Sequence, residues 1–248
     1  MKRYLLLFIL LLVFAAGKAQ QKKINILSYN VHNCIGMDGK RDYQRIAQVI
    51  LKASPDVVAL LELDSATQRN NGVFALEKLK EYTKMQGIYA SAIPFQGGSY
   101  GIGLLSKEVP LKHKVVPMPG REEERTMIVA EFKDYIFCAT HQSLTPEDQL
   151  ISIPIILKAL EGISKPVFLA GDMNSLPADK PQQELGKHFI TLNDVNIQTY
   201  PANLPDSTLD YIYLDRKNEN RFKVIKRKVI NEPVASDHRP VQVIVSPR

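Results

Sequence analysis

Val167-Phe168-Leu169-Ala170-Gly171-Asp172-Met173-Asn174 is the stretch on which the reading of this chain turns. Four apolar residues without alternation read as a strand covered on both faces, and Gly171 lets the chain turn sharply out of it. Asp172 and Asn174 stand two positions apart, so they project the same way if the backbone stays extended. Such a pair suits a carboxylate that orients or deprotonates a water beside an amide that donates to the water or to a phosphate oxygen. An Asx turn draws on the same residue types. Four other segments place polar residues at a strand boundary: Ser28-Tyr29-Asn30, Leu60-Leu61-Glu62, Thr140-His141 and Ser236-Asp237-His238-Arg239-Pro240. One polar strand end is ordinary, but five point to a site assembled from both halves of the molecule.

The intervening chain fixes the architecture. Ile24 to Tyr29 alternates and reads as a strand, while Val57 to Leu61 is apolar throughout and reads as a buried one. Between them Tyr43 to Ala53 has an amphipathic helical pattern, with Asp42 as N-cap and Ser54-Pro55 as stop. A second helix is expected across Gly72 to Met85. Short strands then follow in quick succession at Ala90 to Ile93, Gly101 to Ser106, Val115-Val116, Thr126 to Phe132 and Tyr135 to Thr140. Their connections are short enough for antiparallel pairing. Ile151 to Leu160 reads as a helix despite Pro154, and late strands are expected at Asp210 to Leu214, Phe222 to Ile230 and Val241 to Val245. Interspersed helices with hairpin-like stretches in each half favour two packed sheets flanked by helices, an α/β (α+β) fold.

The chain has 248 residues, 45% of them hydrophobic, enough for one large core. No linker or repeat divides it, so residues 20–248 are read as a single domain. Residues 1–19 read as a secretory signal peptide: Lys2 and Arg3 precede an apolar run from Tyr4 to Ala16, with small residues around Lys18 for cleavage. The run is short for a membrane span, so export to a periplasmic or extracellular compartment is expected, with no stable span after processing. Losing that leader takes three positive charges from the formal +6, which leaves weak evidence for a polyanionic partner. The basic residues gathered at Arg216, Lys217, Arg221, Lys223, Lys226, Arg227 and Lys228 fit a solvated strand edge that discourages pairing. A phosphate-rich substrate surface is the alternative. Cys34 and Cys138 do not make a disulfide scaffold and read as free buried thiols.

Among individual residues, Glu62 ends an apolar strand either as a solvated terminus or as a ligand to a cation. An oxygen-lined cleft with few cysteines suits Mg²⁺, Mn²⁺ or Ca²⁺ rather than Zn²⁺. Asp237 and His238 are adjacent, so in an extended segment they point apart. Asp210, in Thr208-Leu209-Asp210-Tyr211-Ile212, is the natural carboxylate to orient the His238 ring. His141 follows a buried strand and competes with a structural reading. His32 lies close enough to Asn30 to line a cleft, whereas His113 and His188 read as exposed. Arg125 and Tyr100 could contact phosphate, but surface charge and ordinary packing account for them as well.

In order, Ser28-Tyr29-Asn30-Val31-His32, Pro55-Asp56-Val57-Val58-Ala59-Leu60-Leu61-Glu62, Thr140-His141, Gly171-Asp172-Met173-Asn174, Leu209-Asp210-Tyr211-Ile212 and Ser236-Asp237-His238-Arg239-Pro240-Val241 resemble the motifs of the endonuclease/exonuclease/phosphatase family, the deoxyribonuclease-I-like metallohydrolases. They span nearly all of the chain after the leader. The resemblance implies a four-layer α/β/β/α sandwich of two mixed sheets. It implies Glu62 as principal metal ligand, with Asn30 and Asp237 close to the metal or its waters. It implies Asp172 as water-activating base, Asn174 as the residue positioning water and phosphate, His238 oriented by Asp210 against the phosphoryl oxygens, and His141 as a second phosphate contact. Leu61 departs from the family, which often has Gln there, and puts one supporting hydrogen bond in doubt. The implied activity is Mg²⁺-dependent phosphoester hydrolysis by a monomer, on diesters before monoesters. Substrates of that chemistry include nucleic acid, a phospholipid head group or a phosphorylated small molecule such as a sugar or inositol phosphate. A binding protein that keeps the fold without the reaction is the rival of another class.

Overall fold

The computed structural model describes residues 23–248, so the expected leader lies outside the described residues. Among the described residues, twelve strands form two six-stranded mixed sheets. In the first sheet, β1 (Ile24–Asn30) lies parallel to β2 (Val57–Ser65) and antiparallel to β12 (Val241–Pro247). β4 (Gly98–Ser106) and β3 (Gln86–Phe95) extend it on one side, and β11 (Phe222–Val229) closes the other. In the second, β7 (Ile136–His141) lies parallel to β8 (Val167–Asp172), which pairs antiparallel with β10 (Asp210–Asp215). β6 (Arg125–Glu131), β5 (Lys112–Met118) and β9 (Phe189–Thr191) complete it.

Three apolar layers hold these elements together. The sheets share a core in which Ile26, Ala59, Leu61, Leu104 and Val243 meet Ile128, Phe137, Ala139, Phe168 and Ile212. On the outer face of the first sheet, Leu27, Tyr29, Leu60 and Leu63 pack on α1 (Tyr43–Ala53) and α2 (Ala75–Thr83). On the outer face of the second, Val129, Cys138, Leu169 and Tyr211 pack on α3 (Pro146–Ala159) and α4 (Lys180–Leu185). Residues buried on both strand faces explain why β2, β7 and β8 are apolar without alternation. The expected four-layer α/β/β/α sandwich is therefore the observed one. Asp42 caps α1 by accepting from the Arg45 backbone N–H at 2.9 Å.

Several boundaries differ from expectation. α3 begins at Pro146 rather than Ile151, because Pro suits the first helical turn and Glu147 and Asp148 follow it there. α2 is shorter than the Gly72–Met85 pattern, since Gly72 has φ +72° and Lys84 ends the helix in the left-handed region. Three-residue β9 gave no separate sequence signal. Part of the basic cluster falls on an edge: Lys223, Lys226, Arg227 and Lys228 are exposed on β11, the outer strand of its sheet, while Arg216, Lys217 and Arg221 lie in the 3-10 helix Arg216–Arg221 before it.

Candidate active site

The parallel pairs β1–β2 and β7–β8 end at the same end of the sandwich, where β10 begins and the segment before β12 arrives. Asn30, Glu62, His141, Asp172, Asp210, Asp237 and His238 therefore meet although they lie up to 208 positions apart, counting from Asn30 to His238. Ser236 holds the segment before β12 to the end of β1 by donating its hydroxyl to the Asn30 carbonyl at 2.8 Å, and Asn30 Nδ2 joins the two sheets by donating to Asp172 Oδ2.

Two local devices aim the carboxylate and the amide that matter. Along β2, Ala59 and Leu61 face the other sheet, while Leu60 and Leu63 face the helices. Alternation thus breaks at Glu62. Leu60 pairs with Gly103 and Leu63 with Gly101, which leaves one extra residue on β2, a bulge that carries Glu62 at φ +61° out of both packed faces. After β8 the backbone does not stay extended. Asn174 turns to φ +48° and donates its N–H to Asp172 Oδ1 at 2.9 Å. Asp172 and Asn174 converge through an Asx turn rather than through strand alternation. Gly171 is required by a close approach, since a Cβ there would run into the Thr140 carbonyl on β7.

Asp172 is the hub. It is 1% exposed, and its Oδ2 accepts from Asn30 Nδ2 at 3.0 Å. His238 Nε2 and His141 Nε2 each lie 3.6 Å from the same oxygen. Asn30 Nδ2 also donates to Glu62 Oε1 at 2.8 Å, so one amide bridges the two carboxylates. Burial pushes the Asp172 carboxyl up to about 7, with the His238 charge opposing the rise. His238 Nδ1 meets Asp210 Oδ2 at 2.8 Å, as the sequence suggested. Burial alone would lower that imidazole, but the Asp210 and Asp172 carboxylates outweigh it and hold the ring protonated up to about 10. Tyr200 covers the ring with its centroid 4.7 Å away.

His141 behaves differently. Its Nδ1 faces Arg125 Nη1 at 3.2 Å, and Arg can only donate. Its Nε2 faces Asp172 Oδ2 at 3.6 Å and lies 3.0 Å from Asn174 Nδ2, also a donor, so each ring nitrogen meets a donor. Burial, the Arg125 charge and the His238 charge push this imidazole well below its ordinary range, so it is neutral. Arg125 is itself 7% exposed and paired with Glu122 at 3.2 Å and Glu123 at 2.8 Å. Neither Arg125 nor Tyr100 is surface charge or plain packing. Arg125 backs His141, and Tyr100 stands beside Glu62, with burial and that carboxylate raising its phenol well above the ordinary range. Arg125 opens a buried strand, the same signal that marked the other site residues. Glu122, Glu123 and Arg69 lie in segments with no comparable pattern, and Asp64 lies on β2 past its apolar run. His32 sits at the rim with Nδ1 3.8 Å from Asp237 Oδ2. Leu61 is fully buried between the sheets and makes no polar contact.

Asp172, Asp210 and His238 offer metal-ligand atoms lying within 4.8 Å of one another, the one such group among the described residues. Two of those atoms already hold each other through the Asp210–His238 bond. Around the group, Glu62, Asp237 and Asn30 add oxygen donors, and both cysteines are buried and free elsewhere. The donor chemistry fits a hard divalent cation.

Residues 27–238 match the family model described as Endonuclease/Exonuclease/phosphatase family. The chain belongs to the endonuclease/exonuclease/phosphatase family. No protein of curated function matches it. Among solved structures, an endonuclease/exonuclease/phosphatase from Bacteroides vulgatus is similar at 15% identity and TM-score 0.75, covering 92% of this chain and 100% of that one. A mannosyl-6-phosphatase from Bacteroides thetaiotaomicron is similar at 16% identity and TM-score 0.69, covering 90% and 99%. The human Nocturnin catalytic domain, solved with sulfate, is similar at 15% identity and TM-score 0.70, covering 91% and 95%. At these identities the structural likeness speaks for the shared fold, and membership in the family of metallohydrolases supports a phosphoesterase. No helix among the described residues is long and apolar enough to cross a membrane.

Proposed function

We propose that this chain is an exported, monomeric, divalent-metal-dependent phosphodiesterase in which Asp172 activates the attacking water. The observation that carries the reading is a buried carboxylate raised to about 7, which accepts from Asn30 and stands 3.6 Å from two imidazoles, one protonated and one neutral. Deprotonated Asp172 takes the proton of a water lined up for in-line attack, and Asn174 positions that water and a phosphoryl oxygen. Protonated His238, fixed by Asp210, offsets charge gathering on the phosphoryl oxygens. Neutral His141 turns its Nε2 edge toward Asp172 and the leaving side. Glu62 would hold the cation, with Asn30 and Asp237 on it or its waters; Mg²⁺ or Mn²⁺ there would withdraw charge from the phosphoryl group.

The charge balance supports diesters over monoesters. Glu122 and Glu123 neutralise Arg125, and His141 is uncharged, so His238 is the side-chain cation that faces Asp172. A diester brings one negative charge to this acidic end, whereas a monoester at neutral pH brings about 1.5 to 2. Incubating the purified mature protein with Mg²⁺ or Mn²⁺, with and without chelator, should show chelator-sensitive cleavage of bis-p-nitrophenyl phosphate above that of p-nitrophenyl phosphate. A monoester preference would replace this reading with a sugar- or inositol-phosphate phosphatase. No cleavage of either, nor of natural diesters, would favour the binding-protein alternative.

A further inference from the structure

The four strands that carry the reaction centre also frame a second cavity, at the opposite end of the sandwich. β1, β2, β7 and β8 begin there at Ile24, Val57, Ile136 and Val167 and reach Asn30, Glu62, His141 and Asp172 at the other end. Six or seven residues at about 3.3 Å each put roughly 20 Å between the two. The cleft encloses about 520 Å³, within the roughly 300–1,000 Å³ of small-molecule sites. At that distance it is no part of the phosphoester centre.

The apolar part of its lining is aromatic and braced. Ile24, Tyr135, Pro166, Phe222 and Pro247 contribute to it. Phe168, fully buried behind them, meets the Tyr135 ring edge-on at 5.9 Å and the Phe222 ring edge-on at 5.3 Å. Phe132 stacks on Tyr135 from a further side at 4.8 Å. Close packing of this kind fixes both rings at the border of the space, where a hydrocarbon or aryl group can meet them.

The charged part of the lining is uneven. Asp56 is compensated, by Lys107 Nζ at 3.0 Å and by the Asn25 N–H at 2.9 Å. Burial and the Glu108, Asp56 and Asp134 carboxylates raise the Tyr135 phenol, which places that hydroxyl on the acidic side. On the β11–β12 side, Arg221 donates from Nη1 to Asn218 Oδ1 at 3.0 Å, and Arg248 donates from Nε to the Phe222 carbonyl at 3.0 Å. Both partners are neutral oxygens, and neither guanidinium forms an ion pair among the described residues. The Arg248 backbone N–H donates to the Arg221 carbonyl at 2.9 Å, which holds the two residues side by side. Each guanidinium keeps further N–H donors in the planar fork that suits a carboxylate.

We infer that this cleft binds a small apolar carboxylate, its anion on Arg221 and Arg248 and its body against Tyr135 and Phe222. The inference stands apart from the phosphodiesterase reading and survives its failure. Titrations followed by saturation-transfer NMR on the purified protein would use 3-phenylpropionate as probe, with 3-phenylpropionamide and 3-phenylpropylamine as its neutral and cationic counterparts. The expected result is saturable binding of the acid, about fivefold weaker binding of the amide, as the loss of one exposed charge pair should give, and none of the amine. Arg221→Gln and Arg248→Gln should each weaken the acid by about the same factor and leave the amide unchanged. Lys228→Gln, which removes an exposed charge elsewhere on β11, should change neither. Both arginines are exposed, so circular dichroism of the variants should match the parent's. No binding of the acid, equal binding of all three probes, or indifference to both arginine variants would overturn the inference. Tighter binding of the tripeptide Ala-Ala-Phe would give the cleft to a peptide C-terminus instead, and a dimer in sedimentation velocity that Arg221→Gln dissociates would give it to a second copy.

Discussion

The two ends of the sandwich make opposite use of the same residue types. The end away from the reaction centre carries the cleft of about 520 Å³, lined by Lys23, Asp56, Lys107, Arg221 and Arg248 among others. Its charges are set as a surface would set them: Lys107 Nζ reaches Asp56 Oδ1 at 3.0 Å with the lysine half in solvent. The other end buries Asp172, Asp210 and His238 at 1%, 0% and 4% exposure. There the backbone is bent out of its strands at Glu62 and Asn174, and the Asp172 carboxyl and the His238 imidazole are both raised, to about 7 and about 10. Space alone does not locate chemistry in this fold. Burial of charge on strained strand ends does.

Substitutions at both ends can break or sharpen that contrast. The largest effect is expected at Asp172. An amide cannot accept the water's proton, so Asp172→Asn should lower kcat by about 10²–10⁴-fold, with the thermal midpoint close to that of the parent in a melt. Retained turnover would remove Asp172 as base. Asp210→Asn should cost about 10–100-fold in kcat and bring the alkaline limb of the rate profile down from near 10, since the carboxylate that raises His238 is gone. An unmoved alkaline limb would sever His238 from that limb. Glu62→Ala should chiefly weaken metal binding, by about tenfold or more in a calorimetric titration, and a curve matching the parent's would deny Glu62 the ligand role. The smallest effect is expected from Lys107→Met. An exposed ion pair contributes about 0–1 kcal/mol, so denaturant stability should shift by no more than that and kcat/KM should stay within about twofold. A large loss of activity there would erase the distinction between the ends.

Most of this contrast is legible in the chain itself. Apolar runs buried on both faces announce β2, β7 and β8; β7 and β8 end on His141 and Asp172, whereas β2 runs on to Ser65 and carries Glu62 on a bulge instead of at its end. The Asp210–His238 bond follows from the need of a buried imidazole for an acceptor on its second nitrogen. The residues that escaped notice lack such periodicity. Glu122 and Glu123 sit in a loop whose path is set by tertiary contacts, as when Glu122 accepts from the Leu144 N–H at 2.6 Å. Arg69 meets Asp64 only once the turn after β2 folds back on that strand, with Phe95 of β3 beside the guanidinium. Arg125 was visible as a charged residue opening a buried strand, but its partner His141 is a neighbour only across the β6–β7 pairing, where Met127 faces Thr140. The Asx turn at Asn174 shows the same limit: residue types were readable, and the backbone route that brings them together was not.

The central claim is that a deprotonated Asp172 and a protonated His238 act together, and the pH dependence of kcat/KM on a diester at saturating metal tests it most directly. A carboxylate raised to about 7 must lose its proton before it can act as base, and an imidazole held up to about 10 must keep its own. Activity should therefore rise as pH climbs toward 7, level off, and fall as pH approaches 10, the two limbs belonging to the coupled pair. A rate unchanged from pH 5 to 9, or a fall through that range, would contradict the account.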